Sequence, residues 1–98
     1  MGKIIENEAA EREADEIASQ FQNSNDVVKD MSEAYNFDFS NIRFHADSAA
    51  DEKVRNEGKL AIASGHDIFF GKGILEANDS EGKRIKAHEL AHTMQQRI

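Results

Sequence analysis

Residues 88–92 read His-Glu-Leu-Ala-His, two imidazoles four positions apart with a carboxylate beside the first. On a helix, side chains at i and i+4 stand one above the other, so His88 and His92 can hold one metal ion between them. Glu89 is displaced along the rim of that pair, where a carboxylate can hold and deprotonate a water more easily than it can ligate. This is the chemistry of zinc-dependent hydrolysis. Zinc is favoured over iron or manganese by the motif type alone, since two imidazoles accept several metals. The plain alternative is a pair of surface histidines on an amphipathic helix.

Catalytic zinc takes three protein ligands and a water, and only six residues follow His92. The third ligand is therefore sought upstream, among His45, Asp47, His66 and Asp67. His45 is the first choice, on the polar face of a strand; its alternative is a structural histidine tying strand to helix. His66 lies in a Ser-Gly-His-Asp turn, where histidine is ordinary. Asp47 is expected to orient an imidazole or to cap the next helix. Gln96, one turn beyond His92, is expected to hydrogen-bond a ligand or the substrate. The segment Asp67-Ile68-Phe69-Phe70 is expected to pair with an extended substrate backbone, as edge strands do.

Several elements must position these groups. The last helix is predicted from about Glu81, after an Asn78-Asp79-Ser80 loop that ends in an N-cap candidate, Ser80. Its wheel places Ala87, Ala91, Met94 and Ile98 toward a core, and Lys83, Lys86, Thr93 and Arg97 toward solvent. The chain stops at Arg97-Ile98 with no Gly or Asn cap, which suggests an excised domain or a very short one. Residues 5–21 form a helix with Ala10, Ala14, Ile17, Ala18 and Phe21 as a narrow apolar stripe. Glu6, Glu8, Glu11, Glu13, Asp15 and Glu16 give that helix a solvated acidic face.

A second helix, capped by Asn25 or Asp26, runs to Tyr35. Residues 42–47 alternate as a strand, with Ile42, Phe44 and Ala46 on one face and Arg43, His45 and Asp47 on the other. Ser48 caps a helix to about Glu57, closed by Gly58. Strands at 60–63 and 67–70 are joined by Ser64-Gly65-His66. The fold class is α+β: helices packed on a short antiparallel sheet, with the motif on the C-terminal helix. An acidic helical region (1–36) precedes a core (37–98), together one compact domain.

A net charge of −7 disfavours binding to nucleic acid. With no cysteine, disulfides, thiolate zinc sites and cysteine nucleophiles are excluded. No apolar run approaches the ~20 residues of a bilayer span, and the charged N-terminus lacks a signal-peptide core. A membrane is not an expected partner.

Three segments carry a family resemblance. They are Phe39-Ser40-Asn41-Ile42-Arg43-Phe44-His45-Ala46-Asp47-Ser48, then Ile62-Ala63-Ser64-Gly65-His66-Asp67-Ile68-Phe69-Phe70-Gly71, and finally Gly82 with His88-Glu89-Leu90-Ala91-His92-Thr93-Met94-Gln95-Gln96. Together with the acidic helix Glu11-Arg12-Glu13-Ala14-Asp15-Glu16-Ile17-Ala18, they resemble a bacterial metallopeptidase-like domain of unknown function. That domain is found in toxin-like proteins of extracellular contractile injection systems, phage-tail-like particles that deliver cargo.

The resemblance implies a zincin-like core in an exported toxin or effector, held in the bacterial cytoplasm before loading. Two functions follow from it. One is a zinc peptidase acting on a peptide or protein substrate, including its own parent protein. Zinc would sit on His88, His92 and His45, with Glu89 as general base. The other is a non-catalytic module for cargo loading, in which Glu11, Glu13 and Glu16 contact components of the injection particle.

Overall fold

The computed structural model describes residues 8–77 and 79–96. The expectations placed on Ile5, Glu6, Asn78, Arg97 and Ile98 lie outside the described residues. The element order is α1 (Glu8–Gln20), α2 (Val27–Tyr35), β1 (Arg43–His45), α3 (Ser48–Asn56), β2 (Ala61–Ser64), β3 (Asp67–Phe70) and α4 (Ser80–Gln96). The fold is α+β, as the sequence predicts.

Side-chain oxygens start the helices. Asp26 accepts from the Lys29 N–H at 3.1 Å, and Asp47, not Ser48, caps α3 by accepting from the Ala50 N–H at 2.9 Å. Asp79, not Ser80, does the same for α4 through the Gly82 N–H at 2.9 Å. Each satisfies a donor that has no partner within its helix. Helix α3 closes with Gly58 at φ +69°. There the Gly58 N–H donates to Arg55 and the Lys59 N–H to Val54, a Schellman ending.

The sheet order is β1-β3-β2. β2 and β3 form an antiparallel hairpin, but β1 runs parallel to β3, so the sheet is mixed rather than antiparallel. Parallel neighbours need a long crossover, and α3 with β2 supplies it here. β3 is thus the central strand. Side-chain periodicity says nothing about strand direction, which is why the sequence could not reveal this. β1 is also shorter than its alternating pattern, and Phe44, expected inside, is 36% exposed on an edge strand.

α4 lies at the centre of the molecule. Its Ala87, Leu90 and Ala91 are fully buried with Ala14 and Ala18 of α1, Met31 of α2, and Ile68 and Phe70 of β3. Thr93, expected toward solvent, is also fully buried, its hydroxyl donating to the Leu90 carbonyl at 2.7 Å. A helix packed on several sides has no single solvent face, and the wheel assumed one.

Gly82 admits no side chain: a Cβ there would lie 2.4 Å from the Ala77 Cβ and 2.9 Å from its carbonyl oxygen. Gly82→Ala gains about 1 kcal/mol in helix propensity but meets an overpacking cost of about 1–3 kcal/mol. Net destabilisation is expected, read as a fall of several degrees in Tm by calorimetry.

Candidate metal centre

α1 and α4 pack against each other so that the acidic residues of α1 face the histidines of α4. His88 Nε2 and His92 Nε2 are 3.1 Å apart. Glu11 Oε1 lies 3.2 Å from the first and 3.4 Å from the second. Zinc bonds of about 2.0–2.2 Å at tetrahedral angles place ligand atoms about 3.3–3.6 Å apart. The three atoms therefore trace one face of a tetrahedral coordination shell, to within about 0.2 Å of that range.

The hydrogen bonds behind the rings decide which nitrogens carry hydrogen. His88 Nδ1 lies 2.8 Å from Asp15 Oδ1, and an ionised carboxylate only accepts. His92 Nδ1 lies 2.8 Å from Gln95 Oε1. The Gln95 amide cannot be turned over, because its nitrogen donates to the Ala10 carbonyl at 3.0 Å and to Glu13 Oε1 at 2.9 Å. Both Nδ1 atoms must then donate. In neutral imidazoles this leaves both Nε2 atoms as bare lone pairs, converging with a carboxylate oxygen. Three acceptors pointed at one spot are mutually unfavourable unless a proton or a cation lies between them. The donor set, two imidazoles and a carboxylate, suits zinc, and both rings are oriented by the outer partners that metal-binding histidines usually have.

These three residues are a His/Glu cluster of metal-binding geometry among the described residues. The histidine side chains are 18–19% exposed and Glu11 is 47% exposed, so the site sits in the wall of a cleft open to solvent. That cleft, of about 560 Å³, is lined by Glu11, His88, Glu89 and His92 with β2 residues Ala61–Ala63. Burial raises the Glu89 carboxyl to about 7. Glu11 reinforces the shift, while His92, Lys59 and the Ala63 backbone N–H oppose it. A bound cation would pull it back down.

Of the other residues expected at the site, Gln96 lines the same cleft, and the rest lie elsewhere. His45, expected as the third ligand, does not join the cluster: its Nε2 pairs with Asp67 Oδ1 at 2.8 Å, and its ring stacks on Phe69 at 4.7 Å. It sits on β1, across β3 from the strand that lines the cleft. Asp47 is spent as the α3 cap. Gln96 holds the hairpin turn, accepting from the Gly65 N–H at 3.0 Å with its amide 3.4 Å from the Ala63 carbonyl. The His66 carbonyl accepts from the Arg43 N–H at 2.8 Å.

Asp67–Phe70 cannot receive a substrate strand, because both edges of β3 are paired. Ile68 and Phe70 are core, and Asp67 is gripped by Arg43 Nε at 2.8 Å. First Arg43 and then His45 lower the Asp67 carboxyl from 3.8 to about 2. A lowered folded value contributes stability above about pH 4, lost as pH falls toward 2. Asp67→Asn should therefore flatten the pH dependence of urea unfolding across pH 4 to 2. An unchanged slope would mean that Asp67 does not carry it.

Glu11, Asp15 and Gln95 were not singled out as site residues from the sequence. A usable signal existed: Glu11 and Asp15 are spaced i, i+4, as His88 and His92 are.

Residues 22–98 match the eCIS core domain. The chain belongs to that family. The eCIS core domain associates this protein with extracellular contractile injection systems and with their particle components. No curated protein and no solved structure matches. No helix among the described residues is long and apolar enough to cross a membrane.

Proposed function

We propose that this eCIS core domain is a zinc-dependent peptidase module of an exported injection-system effector. The observation that carries the reading is the triangle of lone pairs at 3.1, 3.2 and 3.4 Å, with both imidazoles locked from behind. His88, His92 and Glu11 would hold the metal. When bound, zinc supplies Lewis acidity toward a carbonyl and lowers the pKa of water. Glu89, buried beside the histidines with a carboxyl near neutrality, takes the proton of the attacking water and passes it to the leaving amine.

The strand that suits a peptide is β2, not β3. The Gly71 N–H donates to the Leu60 carbonyl at 2.9 Å. With the hairpin register, this directs the backbone groups of 60, 62 and 64 toward β3. Those of Ala61 and Ala63 face the other edge, along the cleft, where the Ala63 N–H meets Glu89 and its carbonyl lies 3.4 Å from the Gln96 amide. An extended peptide pairing there would displace these contacts at Ala63 and run beside Glu89.

The test is zinc titration by calorimetry together with cleavage of an unstructured peptide library. One zinc per chain and chelator-sensitive cleavage are expected. Absence of zinc binding at saturating metal would overturn the reading.

Family membership also favours a second reading, a loading module that works without catalysis. Of the acidic residues assigned to partner contact, Glu11 and Glu13 face α4, whereas Glu16 is exposed. Under this reading His88→Ala and His92→Ala leave particle loading intact, and Glu16→Lys impairs it.

A further inference from the structure

The family match begins at residue 22, but α1 ends at Gln20. One ligand atom of the centre therefore comes from a helix outside the matched domain. So do the carboxylate behind His88 and the two acceptors that fix Gln95. The matched domain alone carries only the two histidines and the general base.

The means by which α1 is held follow from its composition. Its fully buried side chains are Ala14 and Ala18, two methyl groups, helped by the partly buried Ile17. The hydrogen bonds and ion pairs described between α1 and α4 gather around the metal centre: Glu11 and Asp15 on His88, Glu11 on His92, and Ala10 and Glu13 on Gln95. With a cation among them, the three converging lone pairs become coordinate bonds that span both helices. Without one they oppose close approach of Glu11 to the two rings.

We propose that the metal ion is a latch: bound by His88 and His92 of the core and Glu11 of α1, it couples completion of the site to docking of α1. This rests on the metal-site reading above and extends it to regulation. A ligand shifts an equilibrium by its differential affinity for the two states. The docked state offers three ligands and the undocked state two, so zinc favours docking, and docking by the same factor tightens zinc. The α1 residues Ala10 and Glu11 also line the cleft, so undocking removes a ligand and a wall together. Any event that draws α1 away, such as a partner gripping its exposed acidic face, would release the metal and switch the site off.

Hydrogen–deuterium exchange on the full chain tests this, with zinc at one equivalent against chelator. Zinc is expected to slow the α1 amides about 10-fold or more, with α3 amides changing much less, the signature of local rather than global opening. Glu11→Gln, a near-isosteric change at a half-exposed position, is expected to weaken zinc by at least the roughly 10–100-fold seen for outer-shell partners. It should also abolish the zinc-dependent protection of α1. Glu16→Gln on the same helix serves as a control and should match the wild type. If zinc binds through His88 and His92 with α1 exchange unchanged and Glu11→Gln at wild-type affinity, the latch is refuted and Glu11 is removed from the ligand set, while zinc binding by the two histidines stands. If the wild type binds no zinc, both fall.

Discussion

Glu89→Gln is expected to lower peptide cleavage by about 10²–10⁴-fold, the usual contribution of a positioned general base, with zinc stoichiometry unchanged. The substitution preserves size and hydrogen-bonding capacity at a position only 8% exposed, so the cleft should keep its shape. What disappears is the group that can accept a proton. Glu89 is a neighbour of the three ligand atoms, not one of them, which is why metal content and turnover should separate. The measurement is kcat and KM on one defined peptide, with zinc quantified on the same sample. A variant that keeps both zinc and turnover would assign the base elsewhere.

His92→Ala should have the largest effect on metal binding. It removes one of three ligands and also leaves the Gln95 carbonyl oxygen without its ring partner. Asp15→Asn touches only the Nδ1 of His88 and should cost about 10–100-fold in zinc affinity. His92→Ala should exceed that clearly. Competition with a chromophoric chelator ranks the two. Equal losses would mean that the rings are not oriented through Nδ1, and an unchanged affinity in His92→Ala would place the ion elsewhere.

Much of the local structure was legible in the sequence, because local structure is set by neighbours a few residues away. The hairpin turn at Gly65, the α2 cap at Asp26 and the helix carrying His88 and His92 follow from short-range patterns, whereas the caps of α3 and α4 fall one residue before Ser48 and Ser80. The third member of the His88–His92 cluster was not legible. His45 was preferred because it shares residue type with the two candidate histidines and lies on a polar strand face, but that face is used to hold Asp67. Glu11 was hidden within a run of acidic residues that looked like a solvated surface. Its role depends on which way α1 docks, a tertiary fact. The same holds for Thr93, assigned to solvent by a wheel that could not count the neighbours of α4. Strand order, which leaves β2 rather than β3 with an unpaired edge along the cleft, is likewise absent from any two-residue period.

Glu11 and His88 are 77 positions apart. Closing so long a loop carries an entropic cost that no local contact offsets in advance. The His88–His92–Glu11 cluster therefore cannot form before both α1 and α4 are made, nor on a chain drawn out as an extended thread. Metal capture, where it occurs, would report that these two helices have met.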